Sequence, residues 1–428
     1  MNSIDRYILQ ILNIDPNSIA SIDSYESNDN IICHIKPISH LKNCPYCGNK
    51  NIISKGYRKL NIKTPTNNTT TCSIICSIKR YKCNICHHSF SDKFNISPPN
   101  SRLSYATILK IMDLLKNPNM TFSLVAKLLS LSTQTVIRTF DNYCKVSHQT
   151  LPQSLCIDEV YTKNSDFHNS KYSCIFYDFN NKSIVDVTPS RSKSFLINYL
   201  EKNYSQHERD NVKFISIDMH QPYKDVINLL FKNAIICIDS FHIIKLLNDC
   251  VNHIRMRIIK LYNTSSIEYY LLKKWKFLLF SSNINFNNKP KFNKALNKYV
   301  NYNQLLDLIL NIHPDIYNAY YLKREYILFN SNFINKPELA LDKIHYFYHK
   351  FLNSKIPEFY PFYTALNNWD NEIANSFYTY QGRRISSGSA EGINSLISTV
   401  IFNSKGIRNS ERRKKRIMYV VNKKNTIL

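Results

Sequence analysis

The sequence predicts a multidomain α+β protein, on three observations. Two Cys-x-x-Cys spacings flank strand-like stretches near the start, and the apolar period turns helical from Ser104 to about Val146. From Leu155, short apolar runs that end on acids alternate with helical stretches, before a long helical block opens at Ile243. At 428 residues the chain is long enough for several domains and a sizeable core. A formal charge of +25 and a pI near 9.4 point to a polyanionic partner, nucleic acid first and an anionic membrane surface second. The start, Met1 to Arg6, has no basic stretch leading into an apolar one, and no run of eighteen apolar residues occurs. The expectation is a cytoplasmic protein with no membrane partner. In that compartment twelve cysteines read as metal ligands or buried apolar residues rather than disulfides.

Residues 1–95 read as an N-terminal zinc-ribbon domain. Ile31 to Ile35 is its best strand candidate, and Cys44, Cys47, Cys83 and Cys86 sit in two knuckles. Each short turn brings two sulfurs to one side, so the pairs can set four thiolates tetrahedrally around Zn2+. Cys72 and Cys76 lie on an alternating Thr/Cys/Ile strand and read as core; His87 and His88 are substitute ligands of lower rank. Residues 96–150 read as a helix-turn-helix DNA-binding domain. Ile108, Ile111, Met112 and Leu115 mark one helix, Leu124, Val125, Leu128 and Leu129 a second, and Val136, Ile137 and Phe140 a third opening on Ser132-Thr133-Gln134-Thr135. Thr133, Gln134 and Arg138 would then face DNA, whereas plain three-helix packing needs no DNA at all.

Residues 151–246 supply three strands, a helix, a strand, a helix and a strand. That order matches a ribonuclease-H-like mixed α/β catalytic domain, its first three strands antiparallel and the rest added in parallel. Asp158 on the first strand and Asp218 at the end of the fourth would lie side by side. Asp239 ends the fifth; a strand-end aspartate can also simply cap the helix that follows. Residues 247–375 form an all-helical insertion with no catalytic pattern, where the Arg255-Met256-Arg257 and Lys273-Lys274-Trp275-Lys276 clusters either track phosphates or face solvent. Residues 376–428 read as the second part of the catalytic domain. Its helix carries Glu391 opposite an apolar stripe of Ile393, Leu396, Ile397, Val400 and Ile401, and a basic tail follows with Arg412, Arg413 and Lys414 placed for a DNA backbone.

Two divalent metals set about 3.5–4 Å apart serve phosphodiester cleavage and joining, and hard Mg2+ or Mn2+ needs converging oxygen ligands. Asp158, Asp218 and Glu391 can supply them.

In these motifs the chain resembles the bacterial insertion-sequence DDE transposases of the ISL-three family. The matching pieces are Cys-Pro-x-Cys-Gly, Arg-Tyr-x-Cys-x-x-Cys, Ile157-Asp158-Glu159, Ile217-Asp218-Met219, Asp239-Ser240-Phe241-His242, and Ser387-Gly388-Ser389-Ala390-Glu391-Gly392-Ile393-Asn394 followed by Gly406-Ile407-Arg408-Asn409. The resemblance implies a transposase that binds terminal inverted repeats and cuts and transfers strands, with Asp158, Asp218 and Glu391 as the metal-binding triad. It also implies Asp239 and His242 as a supporting pair, with Asp239 the rival for second acid. Double-stranded DNA, both transposon ends and target, would be the partner of a homodimer or higher oligomer near the bacterial nucleoid. A catalytically inactive or domesticated DNA-binding copy is the alternative. The chain departs from the family at Ser398 to Asn403, where a basic cluster is usual, and at the glycine-free turn Thr162 to Asn169.

Overall fold

The computed structural model describes residues 3–27, 30–67, 70–161, 171–281, 284–332, 335–385, 388–404, 407 and 409–422. The Thr162 to Asn169 turn lies outside the described residues, as does Arg408. The chain divides into two compact units, Met1–Ser147 with Thr399–Leu428, and His148–Ser398.

In the first unit, α1 (Ser3–Ile11) precedes a five-stranded sheet. Its strands β1 (Ile19–Ser27), β2 (Asn30–Pro37), β3 (Ile52–Asn67) and β4 (Thr70–Cys83) run in the order β1-β2-β4-β3, and β5 (Ser89–Ser91) also pairs with β4. Alternation along β4 sends Ile74 and Cys76 inward to meet Leu9, Ile35 and Ile62. Cys76 is fully buried there and Cys72 packs against the same cluster, so both are core side chains.

Three helices follow: α2 (Tyr105–Lys116), α3 (Phe122–Leu128) and α4 (Thr133–Tyr143). Ser104, Thr121 and Ser132 cap them, each hydroxyl accepting a backbone N–H of the first turn. Between α3 and α4, Ser130 takes a left-handed conformation (φ 50°), which makes the turn tight. Ile111, Met112, Leu115, Val125, Val136 and Phe140 close the core.

Helix α17 (Ser410–Val421) belongs to this same core, whereas the sequence pattern had grouped it with the catalytic domain. Tyr419 meets Phe140 edge-on at 5.7 Å and donates to the Met112 carbonyl. Arg416, buried, donates to the carbonyls of Asn117 and Met120 at 3.0 and 2.8 Å. Arg412 grips Asp141 of α4 through Nε and Nη2. The two contacts differ in kind. Arg416→Ala strands two carbonyls and is expected to cost about 2–3 kcal/mol in urea unfolding, whereas Asp141→Ala breaks a part-exposed pair worth at most about 1 kcal/mol.

The second unit is built on a mixed sheet in the order β10-β9-β6-β7-β8. The strands are β6 (Ser154–Tyr161), β7 (Tyr172–Asp178), β8 (Ser183–Thr188), β9 (Phe214–Ile217) and β10 (Ile235–Ile238). β6, β7 and β8 are antiparallel neighbours, and β9 and β10 add in parallel. The crossovers are α5 (Lys193–Asn203) with the single-turn α6 (Gln206–Asp210), then α7 (Gln221–Leu230). β9 and β10 are nearly all apolar, as buried parallel strands must be.

From α8 (Ser240–Ile259) the chain is mainly helical: α9 (Ile267–Lys274), α10 (Phe277–Phe280), α11 (Tyr302–Leu310), α12 (Pro314–Asn332), α13 (Pro337–Asn353), α14 (Tyr360–Asn368) and α15 (Asp370–Asn375). A short hairpin, β11 (Lys291–Asn293) with β12 (Lys298–Val300), interrupts it. Tyr326, Phe347, Phe351, Phe359 and Phe362 form its aromatic centre, all buried. The arginines of the 255–257 cluster are structural. Arg255 is buried against the Leu272 carbonyl and Asn252, and Arg257 pairs with both Glu358 and Asp315. A second hairpin, β13 (Thr379–Tyr380) with β14 (Arg383–Arg384), leads into α16 (Gly388–Asn403), within which the two units divide. Among the described residues no helix is long and apolar enough to cross a membrane.

Candidate active site and metal centre

Strand register assembles the acids of the second unit. Cys156 of β6 pairs with Ser216 of β9. Carried two residues on, that register sets Asp158 beside Asp218. Ile238 of β10 pairs with Ile217, and the Asp239 N–H donates to the Ile217 carbonyl at 3.0 Å, so Asp239 flanks Asp218 on the other side. Side-chain alternation then sorts the faces. Leu155, Ile157, Ile215, Ile217, Ile236 and Ile238 enter the main core. Asp158 shares the opposite face with Cys156, which packs with Tyr177 and Phe179 against Ile393 of α16.

The Asp158 carboxylate accepts the Glu159 N–H at 2.7 Å and the side-chain amide of Asn394. Burial raises its pKa, and those two donors partly offset the shift. Asp218 is pushed up to about 6 by burial and by the Glu159 charge, with His242 opposing. Its Oδ1 is buried without a hydrogen-bond partner among the described residues. Glu159 itself pairs with Arg191, whose guanidinium stacks on Tyr172. Asp239 is the N-cap of α8, accepting the Phe241 N–H at 3.1 Å, and lies 3.9 Å from His242 Nε2. At 2% exposure it is a buried helix cap. Asn394 and Glu159 stand within the quoted motifs, but the sequence alone assigns neither a role. A helix brings residues three apart to one face, so the amide three positions after Glu391 was the available signal. Glu391 lies on α16, but its side chain is outside the described residues.

An all-oxygen donor set with a buried, unpartnered carboxylate oxygen fits a hard divalent cation. Asp158 and Asp218 are the described residues that would hold it.

The first unit contains the other cluster. Cys44, Cys47, Cys83 and Cys86 bring their sulfurs within 4.8 Å of one another, the one His/Cys/Asp/Glu group of three or more to do so among the described residues. Sγ of Cys44 and Cys86 are 3.5 Å apart, and those of Cys47 and Cys83 are 3.6 Å apart. A sulfur tetrahedron about 2.3 Å around zinc has edges of about 3.8 Å, so the cluster could hold that ion. Gly48 (φ 72°) and His87 (φ 59°) turn the chain left-handed just after each knuckle. The N–H groups of Cys86 and Ile85 aim at the Cys83 sulfur and lower its pKa to about 6, the thiolate form a metal takes.

Of the proposed DNA-facing residues, Gln134 and Arg138 are exposed on α4 and Thr133 is half-buried. Arg412 is engaged with Asp141, Arg413 donates to the Ile407 carbonyl, and Lys414 is half-buried on α17.

These features belong to a protein of the transposase class: residues 155–417, more than half of the chain, match a transposase family. The chain belongs to that family, the ISL-three type of DDE transposases. Among curated proteins none matches it.

Proposed function

We propose that the chain is a divalent-metal-dependent DNA transposase. It binds the terminal inverted repeats of an insertion sequence through its zinc-ribbon and helix-turn-helix domains, and cleaves and transfers strands at a ribonuclease-H-like acid site. The observation that carries this reading is the register that sets Asp158, within β6, beside Asp218 and Asp239 just past the ends of β9 and β10, with Asn394 of the Glu391 helix bonded to Asp158. Mg2+ or Mn2+, when bound, would activate the attacking oxygen and stabilise the leaving one. Asp158, Asp218 and Glu391 would hold the cations, and the Asn394 amide fixes the orientation of the Asp158 carboxylate. Asp239 fixes the start of α8 and the position of His242. Cys44, Cys47, Cys83 and Cys86 would hold Zn2+, which would join the two knuckles, and Gln134 and Arg138 of α4 meet the DNA groove. A homodimer or larger assembly that pairs two transposon ends accounts for the remaining requirement of strand transfer.

The test is a labelled terminal-repeat duplex incubated with the full chain and Mn2+. Nicking at the repeat end is expected, and it should vanish in Asp158→Ala and Glu391→Ala while binding persists. Binding without nicking, unchanged in both variants, would instead identify a DNA-binding protein without catalysis.

A further inference from the structure

The helical block contains a lysine- and aromatic-lined cavity whose lining includes none of the acids of the candidate site. Between Glu268 and Asp307 the chain has no acidic residue but seven lysines. In this stretch α9, the β11–β12 hairpin and α11 surround a cavity of about 550 Å3. Its size falls within the roughly 300–1,000 Å3 of small-molecule sites.

Aromatic rings make the walls: Tyr270, Trp275, Phe292 and Tyr302. Trp275 and Tyr302 are 6.1 Å apart between centroids, and Phe292 is half exposed. Lys274, Lys291 and Lys294 complete the lining, with the Lys274 ammonium 5.3 Å above the Tyr270 ring. Asn293 supplies the specific feature. It is 6% exposed, and its Oδ1 accepts from the Tyr270 hydroxyl and from the N–H groups of Ala295 and Leu296 at 3.2, 3.1 and 3.3 Å. Those backbone donors fix which end of the amide is oxygen. The Nδ2 group then has no partner among the described residues, and Asn293 lines the cavity. A buried amide donor left in this way calls for an acceptor, from an ordered water or from a ligand.

We propose that this cavity receives one unpaired nucleotide of a DNA strand. The base stacks on the aromatic walls and accepts from Asn293 Nδ2, while the lysines hold the flanking phosphates. An apolar core would explain the rings alone. It explains neither the orphaned amide nor an acid-free rim of lysines beside a half-exposed phenylalanine. The choice of DNA rests on the transposase reading, but the test measures binding without cleavage, so either can fail alone.

The full chain is titrated, by fluorescence anisotropy, against a labelled thymidylate dodecamer, a blunt duplex of equal length, free thymidine monophosphate and a labelled polyglutamate. The variants are Phe292→Ala, Asn293→Asp and, as a charge control, Lys343→Ala. Asn293→Asp keeps the acceptor that holds the turn and replaces the donor. Phe292→Ala truncates a half-exposed ring, so at least one of the two stays folded. The expected result is single-strand binding weakened about tenfold by Phe292→Ala and Asn293→Asp, the size of one lost stacking contact, with duplex binding within about twofold of the parent and Lys343→Ala unaffected. Equal losses for duplex and single strand, or no loss in either variant, overturn the proposal. So does free monophosphate binding as tightly as the dodecamer, which makes this a mononucleotide site. Polyglutamate binding that shows the same losses overturns it in favour of an acidic protein partner.

Discussion

Asp218→Asn is expected to stabilise the metal-free protein at pH 7.5 and to abolish strand cleavage. The carboxyl ordinarily ionises near 3.8 but is pushed up to about 6 here by burial and by Glu159. Between those values the folded chain holds a proton that the unfolded chain has released, so stability falls as pH rises from about 4 to about 6 and is level above. The shift corresponds to about 3 kcal/mol of strain at neutral pH. Asparagine removes the charge at nearly constant volume, and a gain of that order raises the melting temperature by several degrees in a unit of this size. Cleavage should fall by at least ~10^2–10^3-fold, the usual loss when one electrostatic group of an active site is removed. Thermal melts at pH 4.5 and 7.5, with and without Mg2+, check both halves. The parent should gain stability from Mg2+ at the higher pH only, and the variant should gain little at either. A variant less stable than the parent at pH 7.5 without metal would sink the argument that this carboxylate is held in reserve for a cation.

Zinc removal is the second large effect. Structural zinc is worth about 10–16 kcal/mol of apparent binding energy in isolated finger peptides. Here the sheet has a core of its own in Leu9, Ile35, Ile62 and Ile74, so the loss should be confined to the knuckles and to what they position. Treatment with 1,10-phenanthroline is expected to lower the first unit's unfolding midpoint and to weaken terminal-repeat binding at least about tenfold. The unfolding of His148–Ser398 should be unchanged. Elemental analysis should find one zinc per chain, absent in Cys83→Ser and retained in Cys72→Ser. Zinc retained by Cys83→Ser would refute the ligand assignment.

Much of this was legible in the sequence because it depends on short-range pattern. Knuckle spacing, the three helices between Ser104 and Val146, and the strands that end just before Asp218 and Asp239 all follow from a few consecutive residues, whereas β6 continues past Asp158 to Tyr161. What escaped depends on partners far away in the chain. The basic run from Arg412 to Arg416 suggested a DNA-facing surface, yet Arg412 and Arg416, one turn apart on the Tyr419 side of α17, meet Asp141 and two carbonyls. Arginine stems lie readily along apolar surface, so charge density alone does not reveal which face of a helix is buried. Arg257 was hidden likewise, since its acids stand 58 and 101 residues away. The β11–β12 hairpin escaped because strands of three residues are too short to show alternation.

The seating of α17 on α2 and α4 has a consequence for synthesis. Asp141 leaves the ribosome 271 residues before Arg412, and Tyr419 later still. During that interval the nascent three-helix unit of α2, α3 and α4 lacks one wall of its core. A message cut short by a frameshift or nonsense codon therefore yields a chain whose three-helix core is never completed, and such a product should be cleared as unfolded protein rather than persist beside the intact copy.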